Sequence, residues 1–478
     1  MKTYLYDGPE SLKDATEDDL ISASEKDRDF ALKHCVDIHI KVNGQECYVY
    51  DTNVNHSRRW DENFMPLLSR TPVTYFDFEE KADIEITVSG QLSDKVSVHP
   101  LSYGITPSVN REQNTIIFSV DQADTYTVML NDSPERAIHI FANSLETEKP
   151  DLGDKNVVYY GPGEWNAGTI RMQSGQTIYI SGGAVVHGTI YADHVENVTV
   201  IGRGILDGSI YEGWKGQSDA AHVPLQFDHC KNVVVKDILV LNSNAWVCQG
   251  YDTEDMQISG LKIISCRPNG DGITLQSCKR VEVKHCFVRS WDDSLVIKNY
   301  LGNSEQIYFS GIQLWTDFAQ SMEIGYETNK GRMENSVIRD IRFEDICVLH
   351  NFHKPVISIH NADEALVEDV IFRNIVVEDA QMGNGDGAVM PYLLDFVISG
   401  ELGWSTTEKR GNIRNIRVEN VNVISGKFCG SRIAGFDEEH LVSQVTIEGL
   451  EILGEAVTDS ETGKFEIDEM TTKDIVFR

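Results

Sequence analysis

No run in this sequence approaches the roughly 18 consecutive apolar residues that a helix needs to cross a bilayer. The start, MKTYLYDGPESLKDATEDD, carries one early lysine but no apolar leader core, so a cytoplasmic location is the expectation. Paired cysteines are missing as well. Cys35, Cys47, Cys230, Cys248, Cys266, Cys278, Cys286, Cys347 and Cys429 are odd in number and form no CxxC pair or zinc-ligand cluster, which points to reduced thiols rather than a disulfide framework. Positive charge is scarce: 42 Lys and Arg against 75 Asp and Glu leave −33. Such a field repels nucleic acid and anionic membrane surfaces and suits a neutral ligand.

What is present is an ordinary apolar share of 41% in 478 residues, enough for one large domain and a smaller one. From about residue 176 the chain returns to one phrase, apolar-x-apolar-x-x-apolar-x-apolar, with Gly, Asp or Asn usual at its middle. It reads VVVKDILV from Val233, MQISGLKI from Met256, VEVKHCFV from Val281, IYFSGIQL from Ile307, IRFEDICV from Ile341, VIFRNIVV from Val370, IRVENVNV from Ile416 and VTIEGLEI from Val445. Each phrase is two short period-2 strands joined by a bend. A single coil of this kind cannot bury its apolar side alone, so successive coils must stack. Three residues before the first four phrases stand Cys230, Thr253, Cys278 and Ser304, a ladder of small side chains that parallel coils in register would produce. The pattern predicts an all-β, right-handed parallel β-helix of about ten coils over residues 151–478.

The first 150 residues read differently. After a short polar, helical start, IHIKVNGQECYVYD places Asn43-Gly44 between alternating runs, a hairpin signal. Further short strands separated by turn residues predict an N-terminal β-sandwich over residues 1–150. The boundary falls where Glu148, Lys149, Pro150 and Asp151 interrupt the strand pattern. Sugar binding, covering the end of the helix and contact between subunits are the roles open to this module. A homo-oligomer through it, or through the helix flank, is also open.

Asp271 lies in RPNGDGITLQS, and Asp292 and Asp293 in RSWDDSLVIKN, one repeat further on. Three carboxylates on neighbouring coils can build an acid/base site. Mutual repulsion and partial burial raise the proton affinity of at least one member, keeping an acid available beside charged neighbours. Period-2 phasing turns Ile273, Leu275, Leu295, Ile297, Met322, Ile324, Ile357 and Ile359 inward. Thr274, Gln276, Val296, Lys298, Glu323, Ser358 and His360 then face outward on one face. Gln276, Lys298, Glu323 and His360 are therefore candidate sugar contacts, and Lys298 can also influence the carboxylates. Trp214, Trp246, Trp291, Tyr326 and Tyr392 border the same face, and sugar rings offer apolar faces to aromatic rings. All but Trp246, for which packing is an equal explanation, join the candidate substrate-binding set. The loop QMGNGDGAV around Asn384 and SGELGWSTTEKRG with Trp404 read as insertions that could wall an outer subsite.

From about Asn156 to Leu453 the chain resembles the polygalacturonase-type glycoside hydrolases of family 28 and the related dextranase and isopullulanase family 49. The resemblance is carried by SGQTIYISGGAVVHGTI, GRGILDGSIYEGW, VPLQFDHCKNVVVKDI, LNSNAWVCQG, NGDGI, WDDSLVIKN and SMEIGY in order. It implies inverting hydrolysis in a cleft outside the helix, with no metal or other cofactor. Asp271 matches the aspartate of the family's NTD motif, and Asp292 and Asp293 match its DD motif. It further implies Asp292 as general acid, with Asp271 and Asp293 positioning and deprotonating water on the opposite face of the sugar.

Departures from the pattern shift the expected substrate. Where polygalacturonases carry Gly-His-Gly, this chain has Gln320-Ser321 before Met322, and their Arg-Ile-Lys corresponds most nearly to Ser358-Ile359-His360, with His350 and His353 as alternative positions. An Arg and Lys pair holds a carboxylate by charge-assisted hydrogen bonds, whereas Ser and His suit hydroxyl recognition. A neutral, α-linked oligo- or polysaccharide is therefore the expected substrate. Polygalacturonase or exo action on uronate oligosaccharides is the alternative within the class. A polysaccharide lyase, which would need a basic cleft, and a non-catalytic carbohydrate-binding β-helix are the alternatives outside it.

Overall fold

The computed structural model describes residues 2–13, 15, 22, 30–55, 68–213, 222–329, 333, 335–382, 391–400 and 407–478. From Val157 to Phe477 the strands form one continuous coiled sheet in which each strand pairs in parallel with its counterpart one coil away. One row of inward residues can be followed through Val158, Ile178, Val200, Val235, Ile258, Val283, Phe309, Phe343, Phe372, Val418, Ile447 and Phe477. This is a parallel β-helix of twelve rungs. The expected ten falls short because the end strands, Val157–Tyr160 and Thr472–Phe477, belong to coils without the full phrase. Stacking brings like against like: Phe309 on Phe343 at 4.8 Å and Phe343 on Phe372 at 5.0 Å, nearly coplanar in both cases.

The phrase has a backbone explanation. Its fifth residue (Asp237, Gly260, His285, Gly311, Asp345, Asn374, Asn420, Gly449) has φ between 52° and 69° in all eight copies. Only Gly, Asn, Asp and occasionally His enter this left-handed region at little cost, so the composition of the bend follows from its geometry. The residue just before each phrase, from Asn232 to Gln444, is left-handed as well. Two such kinks five residues apart turn the chain around the helix. The small residues Cys230, Thr253, Cys278 and Ser304 are all buried and stack through Glu254 N–H to Cys230 O, Lys279 N–H to Thr253 O and Glu305 N–H to Cys278 O.

The N-terminal residues form two facing sheets. One contains Leu68–Phe78 and Ser133–Ser144 as its central, parallel pair; the other is antiparallel and includes Ile38–Val42 and Ala82–Val88. Asn43 (φ 50°) and Gly44 (φ 78°) close the expected hairpin. Only Glu10–Lys13 of the polar start is an α-helix among the described residues. No described helix is long and apolar enough to cross a membrane. All nine cysteines are unpaired, and all but Cys347 are buried.

This module lies along the flank of the β-helix rather than over its end. Leu239, Leu241, Ile264, Phe287, Trp315 and Leu349 of the helix share a core with Tyr48, Tyr50, Val73, Tyr75 and Phe141 of the module. Val240, Ile263, Val288, Leu314 and Val348, the alternate residues of the same strands, fill the helix interior. These strands therefore read as near-continuous apolar runs because both faces are buried. Ion pairs and hydrogen bonds cross the same seam. Arg203 meets Asp77 at 3.1 Å, Lys262 donates to Asn143 at 2.8 Å, and Arg289 reaches His139 at 3.2 Å while pairing with Asp317 at 3.1 Å.

Asn420→Val should lower stability by about 1–2 kcal/mol, since a β-branched residue resists the left-handed bend. Asn420→Gly should cost less. Equilibrium denaturant unfolding of the two variants checks the ranking.

Candidate active site

Ile273 pairs with Leu295, and Leu295 with Met322. Counting back two residues from each puts Asp271, Asp293 and Gln320 at one position on three successive coils. Their backbones are tied directly: Gly272 N–H donates to Asp293 O at 2.8 Å, and Ser294 N–H to Gln320 O at 2.9 Å. Gly272 allows this approach, because a Cβ there would lie 2.3 Å from Val288 Cγ1 and 2.5 Å from Ser294 O. Below the Asp292–Asp293 turn runs a line of hydroxyls, Ser290 to Ser294, Ser294 to Thr316 and Thr316 to Ser321, each 2.7 Å apart. Ser290 also donates to Asp292 O at 2.7 Å, and Gln320 N–H to Asp293 Oδ1 at 3.1 Å. The turn is thus held by polar contacts, with Asp293 buried and Asp292 half-buried at it.

Asp271 and Asp293 are 3% and 7% exposed, and Asp292 is half-buried. Burial pushes Asp271 well above the usual carboxylate range, reinforced by Asp292 and opposed by Lys298. Burial likewise raises Asp293, with Asp292, Asp271 and Glu323 adding to it. Asp292 is raised by burial and held back by Lys354 and Lys298. Burial, with crowding adding to it at Asp271 and Asp293, therefore keeps protons in the cluster at a pH where isolated aspartates would be ionised. Lys298 Nζ sits 2.9 Å from Glu327 and 4.0 Å from Asp271. Although burial pulls the ammonium down, Glu327, Asp271 and Asp293 hold it protonated.

The next coils carry a second charged row. Glu323 pairs in register with Ser358, Ser358 with Asp395, and Asp395 with Arg432. Glu323 accepts hydrogen bonds from the Ser358 hydroxyl and from His360 Nδ1 at 2.9 Å. His360 Nε2 lies 3.0 Å from Asp395, which in turn accepts two 2.8 Å bonds from Arg432. Burial alone would lower the His360 pKa, but Glu323 and Asp395 hold it up at about 10. With both ring nitrogens donating, His360 is an imidazolium fixed between carboxylates. Tyr326 stacks flat on it, ring centres 4.4 Å apart.

Among the other expected contacts, Gln276 lies in register between Tyr251 and Lys298. Trp291 is buried against Phe318 at 4.6 Å, so it supports the turn instead of offering an open ring face. Tyr392 carries Arg432 over its ring at 4.6 Å and donates to Glu466 at 2.8 Å. His350 turns to Asp379 at 2.8 Å, while His353 is buried beside Phe318. Trp214, Trp404 and the loop around Asn384 lie outside the described residues.

Glu327, Lys354, Asp395 and Arg432 escaped the sequence reading. Glu327 was hidden by an irregularity: Ile297 pairs with Ile324 but Asn299 with Thr328, so residues 325–327 stand opposite the single residue Lys298 in the ladder, and Glu327 is the one that meets it. Strict alternation cannot place such a residue. Asp395 and Arg432 were hidden by loop lengths, since their alignment with Ser358 depends on knowing how the coils stack.

Residues 166–386, which include all three aspartates, match the model of Glycosyl hydrolases family 28. A polygalacturonase from Chamaecyparis obtusa is 29% identical over 111 residues, 20% of this chain and 22% of that protein. A probable polygalacturonase from Vitis vinifera is 21% identical over 208 residues, 41% of each chain. The chain thus spans about two fifths or less of the length of these curated relatives. The solved structure of Dex49A from Penicillium minioluteum superposes with a TM-score of 0.58 at 16% identity, covering 93% of this chain and 94% of that one. It shares the fold across nearly the whole chain.

Raised carboxylate pKa values mean that ionising Asp293 costs folding stability above its unfolded pKa, whereas below that value both states are protonated and the cost vanishes. Asp293→Asn should therefore raise Tm at pH 7, with the gain shrinking as the pH falls to about 4. Thermal melts of both proteins across that range check the sign.

Proposed function

We propose that this chain is a glycoside hydrolase acting with inversion on a neutral, α-linked oligo- or polysaccharide. The family 28 match and the polygalacturonase relatives support hydrolysis of a glycosidic bond. Three raised carboxylates on adjacent coils supply what that chemistry requires, a retained proton for the leaving oxygen and a carboxylate to draw one from water. In this reading Asp292, the most accessible of the three, protonates the leaving oxygen. Asp271 and Asp293 hold and deprotonate the water, while Lys298 stabilises the charge that remains on them.

The observation that carries the substrate class is the commitment of the nearby cations. Lys298 is paired with Glu327, His360 is enclosed by Glu323 and Asp395, and Arg432 gives Nε and Nη2 to Asp395. A uronate carboxylate entering here would meet fixed anions and cations already neutralised, and would lose its hydration with little return. A neutral sugar meets no such penalty. Gln276, Tyr326 and Tyr392 are the sugar-contact candidates on this face; Glu323 and His360 act by holding the wall. α-Linkage follows the motif resemblance to the dextranase branch. The polygalacturonase reading keeps two supports, the names of the curated relatives and Lys354, which lies over the Phe318 ring at 4.6 Å as a cation that could meet a uronate.

A panel of neutral α-glucans and polygalacturonate, with the product anomer followed by NMR, tests both substrate readings. Neutral glycan turnover with inverted configuration is expected; turnover of polygalacturonate alone would replace the first reading with the second. Asp271→Asn, Asp292→Asn and Asp293→Asn should each reduce kcat by about 10²–10⁴-fold. Unchanged turnover in all three would eliminate the site.

A further inference from the structure

The dipeptide Asp-His occurs twice in register, at Asp193-His194 and Asp228-His229. His194 N–H donates to Asp228 O at 3.0 Å, His229 N–H to Tyr251 O at 2.8 Å and Asp252 N–H to Gln276 O at 2.9 Å. His194, His229 and Asp252 thereby stack at one corner of three successive coils, each with a left-handed backbone, φ 54°, 51° and 46°. The two imidazole rings lie 4.5 Å apart at 33°.

We propose that Asp193, His194 and His229 bind a divalent transition-metal ion of the zinc type. One potential ligand atom from each of the three lies within 4.8 Å of the others. Tetrahedral zinc with bonds of about 2.0–2.1 Å requires ligand separations of roughly 3.3 Å. Asp193 and His194 are exposed and joined to each other by His194 Nδ1 and Asp193 Oδ1 at 2.6 Å; rotamer adjustment that keeps His194 Nε2 and the second carboxylate oxygen for the ion closes the difference. His229 Nδ1 is held by Asp252 at 2.9 Å, which leaves Nε2 as the ligand and gives the carboxylate its usual orienting role behind a metal-bound imidazole. Two imidazoles with carboxylate select zinc, nickel, cobalt or copper over calcium and magnesium, whose sites are built from oxygen alone.

The column Asp193, Asp228, Tyr251, Gln276 and Lys298 runs along one outer sheet. At roughly 4.8 Å per rung, the ion would sit about 15–20 Å from Lys298. It would clamp two coils rather than join the hydrolytic chemistry, and it stands whether or not the glycosidase reading does.

Calorimetric titration of untagged protein with zinc chloride should give one saturable site per chain. His194→Ala with His229→Ala should abolish it, and Asp252→Asn should weaken it about 10-fold. Cobalt bound there should show tetrahedral d–d absorption without a thiolate charge-transfer band. Zinc-free melts of the variants should match the parent. Unaltered zinc affinity in the double variant, a thiolate band, or no saturable binding would overturn the assignment.

Discussion

Everything in this structure depends on backbone pairing between parallel coils, which forces residues at equivalent positions to stack about 4.8 Å apart. In the interior the constraint produces the phenyl ladder Phe309, Phe343, Phe372. At the corners it repeats left-handed residues. Outside, it brings together charges that would separate if the coils were free to choose. Asp271 above Asp293 is such a pair; burial is the main cause of their raised proton affinity, and the nearby Asp292 adds to it in both.

The second charged row answers the same constraint differently. Glu323 and Asp395 lie two coils apart with Ser358 between them in register. Their repulsion is relieved by His360, whose two nitrogens bridge them, and by the paired contact of Arg432. One row, though Lys298 and Lys354 lie near it, is buried deeply enough to hold protons; its neighbour is neutralised internally. A proton-holding cluster beside an internally neutralised wall is the electrostatic contrast that the stacking produces.

Much of this was legible in the sequence because the repeat is written in backbone-compatible residues. The phrases located the coils, Asn43-Gly44 located a hairpin, and period-2 phasing sorted the inward residues Ile273, Leu295, Met322 and Ile357 from the outward ones. Phasing failed where the strand adds residues, so Glu327 was not found beside Lys298. Trp291 stood beside the right turn, but composition does not reveal which ring faces are covered, and Phe318 covers this one. The end coils were missed because their strands lack the phrase. Asp395 and Arg432 required the lengths of two loops to be converted into a stacking order.

The seam between the N-terminal module and the β-helix changes what a domain boundary means here. The chain changes character near residue 150, yet Leu239, Phe287 and Trp315 on one side and Tyr50, Tyr75 and Phe141 on the other belong to a single apolar cluster. Separating the pieces would expose that strip on both and take Asp77 from Arg203 and His139 from Arg289, leaving Arg203 with Asp237 and Arg289 with Asp317. The boundary is compositional, not thermodynamic. Excised at residue 150, the β-helix would expose an apolar stripe across the coils from Val185 to Leu349, a surface of the kind that drives association.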